Sequence, residues 1–231
     1  MSIIKSTLRG HKILKYRPTA ECVLYLPGEG DAYGGTIRDI SGNTNHGTIS
    51  GATWTRLPSG LWGLYFDGND YVTIADSLSL RNFTSFSIET WLKTASVVGQ
   101  CIYSTDSLLS NKYIYLYQLA TGKLRIGYRD DDALEKLLDS NTAWNDNKYH
   151  HILVVRTSGA SVEIFVDGVS DGSSAVGVGT GAFLQADDLK KIGTLWDLLS
   201  DYFTGYLALF RIHLTAVTPS NYAKERWIFG V

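Results

Sequence analysis

The feature that most constrains the fold of this chain is an alternation of apolar and polar residues with a period of two. It is clear in FSIETW, residues 86–91, and in VEIFVD, residues 162–167. Successive side chains of a β-strand point to opposite faces of the sheet, so this period predicts strands. The same reading predicts further strands at 22–26, 63–66, 71–74, 113–119, 123–128, 150–155 and 206–212.

Turn residues separate these predicted strands. Asp67 to Asp70, Thr121-Gly122, Ser158-Gly159 and Asp167-Gly168 are of the types that tolerate a positive φ in hairpins. Strands that follow one another at regular spacing favour one antiparallel β-sandwich over βαβ units. The segment 168–181 is expected to be a long loop or a weak edge strand.

One segment near the end is predicted to be a helix, at 218–229. Thr218 is a suitable N-cap, Pro219 fits the first helical position and Gly230 can close the helix. Tyr222, Arg226 and Phe229 would share one face. We therefore predict one domain over 21–231 that includes this helix, preceded by a basic arm over 1–20.

Charge and hydropathy exclude several classes of function. The net charge is -2 with 21 Lys and Arg against 23 Asp and Glu, so no global positive field exists to hold nucleic acid. No stretch approaches the ~20 apolar residues that a membrane helix needs, and basic residues interrupt the N-terminus where a signal peptide would be apolar. We expect no nucleic acid partner and no membrane span, and the basic arm is a candidate contact for other protein subunits.

The two cysteines, Cys22 and Cys101, lie in apolar strand-like runs without the spacing of a metal site. Two buried free thiols are expected, with a single disulfide between the sheets as the alternative.

The order of several motifs resembles the laminin G-like, concanavalin A-like lectin/glucanase jelly rolls. The matching pieces are DISGNTNHGTISGATW, GLYFDGNDYVTI, FSIETWLK, KYHHILVV, VEIFVDG and FTGYLALFRI, which run from about Cys22 to the end of the chain. Tyr149 departs from the pattern, because the family usually has Trp before the His pair. The resemblance implies an all-β fold of two antiparallel sheets, with functional loops at the rim or along the concave face.

The polar loop that opens this series is a candidate calcium site. Asp39, Asn43 and Asn45 carry side-chain oxygens, which Ca²⁺ prefers as ligands. Many relatives in the family bind structural calcium, and this loop is one place where they do so. The competing interpretation is an Asx-turn without a metal. We expect the loop to turn the chain first and to hold calcium second. His46, in the same loop, is a better candidate for a functional-site residue than the other histidines of the chain. A second acidic cluster at 130–132 with Glu135 is interpreted as an exposed hairpin tip.

An enzymatic role is the minor alternative. Glucanases of this architecture carry paired carboxylates on one face of a strand, and a retaining pair lies about 5–5.5 Å apart. Glu89 is followed two positions later by Trp91, and Glu163 by Phe165, so neither has a partner on its own strand. His150 and His151 point to opposite faces, which predicts packed rather than catalytic roles. A glycoside hydrolase or polysaccharide lyase would need a pair assembled from distant strands.

Sugar binding is the leading hypothesis, because Trp and Tyr rings stack on pyranoses while neighbouring amides and carboxylates bind hydroxyls. The predicted ligand-binding residues are aromatic residues near turns and their polar neighbours: Trp62, Trp144, Asn145, Asp146, Trp196 and Asp197. Capping of the sandwich ends is the alternative for each tryptophan. Tyr113, Tyr115 and Tyr117 form a second aromatic series, which either lines the concave face or covers a partner sheet.

The sequence thus predicts a non-catalytic module that binds glycan or polysaccharide through rim-loop aromatics, with structural calcium as a candidate cofactor. The alternative is a structural or decoration protein of a virus or phage particle that acts through protein contacts. Both hypotheses place the protein outside the cell or at a virion surface, although the chain shows no signal peptide.

Overall fold

Strands account for most of the described chain, as the alternation predicts. The computed structural model describes residues 18–28, 34–57, 60–107, 112–130, 135–183, 190–195 and 200–230. Nearly all of the predicted basic arm lies outside these residues. In chain order the strands are β1 (Cys22–Leu26), β2 (Thr36–Ile37), β3 (Gly47–Ser50), β4 (Thr53–Arg56), β5 (Trp62–Asp67), β6 (Tyr71–Ile74), β7 (Phe86–Lys93), β8 (Gln100–Ser107), β9 (Lys112–Gln118), β10 (Lys123–Arg129), β11 (Glu135–Ala143), β12 (His150–Thr157), β13 (Ser161–Val166), β14 (Val169–Ser174), β15 (Lys190–Ile192) and β16 (Thr204–His213). A short 3-10 helix spans Leu78–Leu80, and the α-helix α1 spans Ser220–Phe229.

The strands form two antiparallel sheets, which confirms the predicted all-β sandwich. The first sheet has the order β14-β13-β12-β7-β16-β5-β4, and β1 also pairs with β16. The second sheet has the order β11-β10-β9-β8-β15-β6-β3-β2. Strands that are distant in sequence therefore lie side by side, as β7 and β16 do, and long connections cross between the sheets.

The predicted turns behave in two ways. Hairpins do form at Thr121-Gly122, at Ser158-Gly159 and at Asp167-Gly168, where the strands on either side pair with each other. The turn from Asp67 to Asp70 instead joins β5 of the first sheet to β6 of the second sheet. The segment 168–181 begins with the edge strand β14, which confirms one of the two expectations for it.

The main core lies between the inner faces of the two sheets. Alternate residues of each strand meet there, and the aromatic rings of Phe86, Tyr128 and Phe183 form its centre, with ring centroids 5.4–6.3 Å apart. Arg156 is also buried, and its guanidinium lies 4.6 Å from the centre of the Phe183 ring. It donates to Asp130 at 2.6 Å, so the prediction that Asp130 belongs to an exposed acidic tip is wrong. Asp131 and Asp132 lie outside the described residues.

Part of the outer face of the first sheet is covered by α1. The ring of Phe229 stacks on Trp91 with centroids 4.1 Å apart, and Tyr222 stacks on the same indole at 5.8 Å. These residues form a second apolar cluster with Tyr25 and Ile228. The helix thus packs across β7 and β16, which removes the part of the face around Trp91 from solvent.

The ends of the helix differ slightly from the prediction. Gly230 closes it in the left-handed conformation, with φ at 75°, and its N–H donates to the carbonyl of Arg226. Pro219, rather than Thr218, occupies the N-cap position, and no side chain caps the first turn. Tyr222 and Phe229 face the sheet as expected, whereas Arg226 is exposed. Both cysteines are free and buried, as expected.

Candidate functional site

Three tyrosines on β9 form a series of partly exposed aromatic residues on a sheet face. Tyr113, Tyr115 and Tyr117 are half-buried on the outer face of the second sheet, while Ile114 and Leu116 between them point into the core. The rings of Tyr113 and Tyr115 stack with centroids 5.9 Å apart and planes inclined by 23°. We call these three residues the tyrosine stripe. The tyrosines do not cover the partner sheet, because Ile114 and Leu116 do so, and the expectation that they line the concave face stays a prediction.

Two glycines give the rings of the stripe room to lie against the sheet. Gly127 on β10 is paired with Tyr115, and a side-chain carbon placed there would lie only 2.1 Å from the ring atom Cζ of Tyr115. A carbon placed on Gly99 would lie 2.4 Å from the hydroxyl of Tyr117. A glycine inside a strand commonly marks such a close approach. The Tyr115 ring therefore lies over β10 instead of standing away from it.

Polar groups flank the stripe. Arg125 donates two hydrogen bonds to Asp139, from Nε at 2.6 Å and from Nη2 at 2.8 Å, and the Tyr113 hydroxyl donates to Glu135 at 2.7 Å. The hydrogen bond from Arg125 lowers the pKa of Asp139 below its usual value. Burial raises the pKa of Tyr115, and burial together with Asp201 raises the pKa of Tyr117 to about 12. The hydroxyls therefore stay neutral and can both donate and accept hydrogen bonds.

A cavity of about 450 Å³ lies over the stripe. This volume falls within the range of about 300–1,000 Å³ that is typical of small-molecule sites. Besides the three tyrosines, it is lined by Leu119, Arg125, Glu135 and Leu195. The arrangement combines aromatic faces with a few hydrogen-bonding groups, which can bind a molecule that has apolar faces and polar edges.

The predicted sugar-binding residues that the structure describes belong to two separate parts of the fold: Trp62 lies in the first sheet, and residues 144–146 follow β11 of the second sheet. Trp62 begins β5 in the first sheet, where it is half-buried and the Arg56 guanidinium lies 4.8 Å from its ring centre. Trp144 follows β11 of the second sheet and is only 1% exposed, so its ring offers no face to a ligand and the prediction for it is wrong. Trp196 and Asp197 lie outside the described residues.

The polar neighbours of Trp144 serve the loop in which they lie. Asn145 donates to the carbonyl of Ser96 at 2.7 Å, which ties two loops together. Asp146 accepts from His150 Nε2 at 2.9 Å, and the other ring nitrogen of His150 lies 2.7 Å from Asp167. Burial acts to lower the pKa of His150, but these two hydrogen bonds outweigh it and raise the pKa above its usual value. His150 is therefore held between two carboxylates at the start of β12.

The polar loop at 39–47 is organised by the Asp39 carboxylate. It accepts four hydrogen bonds, from the backbone N–H groups of Tyr25, Ser41 and Asn45 and from the Ser41 hydroxyl, at 2.8–2.9 Å. A carboxylate has about four lone-pair sites, so these donors occupy the capacity of Asp39. Its backbone N–H donates to His46 Nδ1. The predicted turn is thus present around Asp39.

In this arrangement the Asp39 carboxylate, the charged ligand of the predicted calcium site, is already occupied by hydrogen bonds. Asn45 donates from its amide nitrogen to Val23 O and to Ser79 Oγ, and Asn43 donates to Ser41 Oγ. Among the residues that the structure describes, no three His, Cys, Asp or Glu side chains are grouped so as to hold a metal ion. The donor set at Asp39, Asn43 and Asn45 does not fit Ca²⁺ as it stands, and binding of calcium at this loop stays a prediction.

A cluster of charged residues lies buried beneath α1. Arg211 of β16 donates to Glu89 of β7 and to Glu225 of the helix, and Glu89 also accepts from His151 at 2.8 Å and from Asn221 at 3.1 Å. Burial would raise the pKa of Glu89, but Arg211 and His151 hold it well below its usual value. The two carboxylates that converge from distant elements therefore serve as partners of Arg211. We call these five residues the buried charge cluster. Sequence reasoning missed the partners of Glu89, because they come from β16 and α1.

The sequence of residues 66–221 matches the laminin G family described as the concanavalin A-like lectin/glucanases superfamily. The match covers more than half of the chain, and the chain belongs to this family. No match was found among curated proteins. None of the helices in the described part of the chain has the length and apolar character needed to cross a bilayer.

Several solved structures share the fold. The binding domain of Paraclostridial Mosquitocidal Protein 1 has a TM-score of 0.69 at 13% identity, over 90% of this chain and 52% of that chain. The binding domain of botulinum neurotoxin serotype G has a TM-score of 0.67 at 16% identity, over 90% and 51%. The ligand binding domain of botulinum neurotoxin serotype D, in complex with N-acetylneuraminic acid, has a TM-score of 0.66 at 14% identity, over 90% and 51%. The chain spans about half the length of these structures, and such low identities indicate a shared fold alone.

Proposed function

We propose that the chain is a non-catalytic carbohydrate-binding module and that the tyrosine stripe is its glycan-binding surface. The observation that carries this proposal is the row of three half-exposed rings in a cavity of about 450 Å³. Phenol rings stack on the apolar faces of sugars, and Arg125 and Glu135 stand beside them to bind hydroxyl groups. This proposal retains glycan binding, which the sequence predicts. It places the binding site on a sheet face instead of on the rim loops.

The environment of Glu89 supports a non-catalytic role. A glycosidase needs two carboxylates that reach the glycosidic bond, one of them free to exchange a proton. Glu89 and Glu225 both bind Arg211, and α1 separates Glu89 from solvent, as its exposed fraction of 0% indicates. A substrate has no access to this pair while the helix is in place.

The comparisons support the class of function and leave its details open to experiment. The family includes lectins, and the similar solved structures are binding domains of toxins. One of them holds N-acetylneuraminic acid, but this chain corresponds to only about half of that structure. Because the similar structures are binding domains of toxins, we also propose that the module binds its glycans outside the cell.

A glycan and polysaccharide array tests the proposal, run with the wild-type protein in calcium and in EDTA. We expect binding in both conditions, because the four donors around Asp39 stabilise its loop without an ion. Binding that disappears in EDTA would show that calcium is needed, as the sequence first indicated. If no glycan binds in either condition, the proposal is wrong.

Two matched variants locate the site. Tyr115→Ala removes the central ring of the stripe and is expected to weaken binding by about tenfold through lost stacking. Tyr206→Ala is the control, because Tyr206 pairs with Tyr65 at 4.9 Å on the outer face of the first sheet. Equal losses in both variants would contradict a site on the stripe. If neither the wild-type nor the variants bind and light scattering shows a defined oligomer, the particle-protein alternative would be favoured instead.

A further inference from the structure

The length of the tyrosine stripe indicates the size of its ligand. Tyr113, Tyr115 and Tyr117 occupy alternate positions of one strand, so their Cα atoms span roughly 14 Å at about 3.4 Å per residue. A pyranose ring and a phenol ring are similar in width. Three rings in a row therefore offer more surface than one sugar can cover, and they favour a chain of several sugars that lies along β9.

The orientation of the rings favours stacking along that chain. Gly127 leaves the space into which the Tyr115 ring leans, and Gly99 does the same beside the Tyr117 hydroxyl. The planes of the Tyr113 and Tyr115 rings are inclined by only 23°, so the two rings are nearly parallel. A continuous aromatic surface suits the repeated apolar faces of a polysaccharide.

The charges around the stripe indicate the class of sugar. Among the described residues that line the cavity, Arg125 is the cation, and both of its hydrogen bonds to Asp139 are short, at 2.6 and 2.8 Å. Glu135 is the other charged group that the structure describes in the lining, and it accepts from Tyr113. An acidic sugar would have to compete with Asp139 for Arg125 and would lie close to Glu135. An uncharged sugar meets neither cost.

We propose that the tyrosine stripe binds an uncharged polysaccharide chain that lies along β9 and stacks on at least two of its rings. This inference rests on the proposed function and narrows its ligand class. It separates this chain from the neighbour that holds N-acetylneuraminic acid, which carries a carboxylate.

Calorimetric titration with sugars of defined length and charge tests the inference. The uncharged probes are glucose and the hexasaccharides of β1,4-linked glucose, β1,3-linked glucose, mannose and xylose, and the acidic probes are hexagalacturonic acid and sialyllactose. We expect at least one uncharged hexasaccharide to bind about tenfold or more tightly than glucose, because each further ring strengthens binding by about two- to tenfold. Its Kd should not change between low and high salt, because no ion pair is formed.

The outcomes separate this inference from the proposed function. If an acidic probe binds more tightly than every uncharged hexasaccharide, or if glucose binds as tightly as the hexamers, the inference is wrong although the protein still binds glycans. If no probe binds and the array is also negative, the proposed function itself is wrong. If the array is positive only for acidic glycans, the class proposed here is contradicted.

Variants of the stripe test its geometry. Gly127→Ala would place a carbon 2.1 Å from the Tyr115 ring, so the ring must move, and we expect about a tenfold loss of affinity for the hexasaccharide. Gly35→Ala is the control, because a carbon there meets nothing within 4 Å. Should Gly127→Ala fail to fold, Tyr115→Phe and Tyr115→Leu replace it. Phe keeps a planar ring and should bind within about twofold of the wild-type, whereas Leu should lose affinity. Equal binding by the Phe and Leu variants would contradict stacking.

Discussion

The outer faces of the two sheets carry similar residues, but these residues differ in their exposure to solvent. Each has tyrosines and an arginine paired with a carboxylate: Tyr25 and Arg211 on the first sheet, Tyr115 and Arg125 on the second sheet. On the first sheet α1 covers these groups, and Arg211 is fully buried. On the second sheet a cavity lies over the rings, and the side chain of Arg125 is 32% exposed.

The difference shows how the same residue types serve stability on one face and binding on the other. A buried charge must find partners for nearly all of its hydrogen-bonding capacity, so Arg211 is tied to Glu89, Glu225 and Tyr25. An exposed pair contributes little to stability, because water and salt screen it. Arg125 and Asp139 can therefore take part in ligand binding while contributing little to the stability of the fold.

The largest effect is expected when the arginine of the covered face is removed. Arg211→Met leaves Glu89 and Glu225 buried without their common partner, and we expect the free energy of unfolding to fall by about 3–5 kcal/mol. Arg125→Met, the matched change on the open face, should cost less than about 1 kcal/mol. Urea unfolding followed by tryptophan fluorescence measures both. Equal losses would show that the two faces do not differ in the way described.

A smaller effect is expected from single hydroxyl groups. Tyr25→Phe removes the oxygen that accepts from Arg211 Nη2 at 3.1 Å but keeps the ring 4.4 Å below the guanidinium. Loss of a buried hydrogen bond to a charged group should cost about 1.5–3 kcal/mol. Tyr113→Phe, on the open face, removes a bond to the exposed Glu135 and should change stability by less than about 0.5 kcal/mol. If Tyr113→Phe lowers the free energy of unfolding more than Tyr25→Phe does, the proposed difference between the two faces is wrong.

The two histidines at the start of β12 sharpen the comparison further. His151 belongs to the buried charge cluster, whereas His150 lies between Asp146 and Asp167. Because the folded protein raises the pKa of His150 above 6.5, its contribution to stability is fully present below pH 6.5. That contribution is lost as the pH rises through the folded pKa.

Thermal unfolding between pH 5.5 and 8.5 measures this dependence. The wild-type protein should lose stability as the pH rises through this window, and His150→Gln should remove that part of the dependence. Phosphate and Tris buffers at equal ionic strength control for the buffer. An unchanged slope in the variant would mean that another group is responsible.

The sequence predicted what depends on local pattern. The period of two in 86–91 and 162–167 and the turn at Thr121-Gly122 are local, and the strands and hairpin were confirmed. The alternation of YIYLYQL also predicted that its three tyrosines share a face. The turn after Asp67 has the composition of a hairpin, yet it connects the two sheets, because the partners of β5 and β6 are distant in sequence.

The sites depended on contacts that no local pattern carries. Trp144 precedes a polar turn signal but packs into the core, and Glu89 binds Arg211 at a separation of 122 residues. Gly127 was unremarked in its strand, although the hairpin register places it directly beside Tyr115. The turn at Gly122 sets the register of the hairpin, and pairing the two strands in that register predicts the contact between Gly127 and Tyr115.

The measurement that tests the open face most directly is an NMR titration of the ¹⁵N-labelled protein with the uncharged hexasaccharide that it binds most tightly. We predict that the largest shifts occur at backbone amides of β9 and β10, around Tyr115 and Gly127. Shifts concentrated instead at Trp62 and at residues 144–146, with those two strands unchanged, would place the ligand in the rim loops and contradict a binding site on the tyrosine stripe.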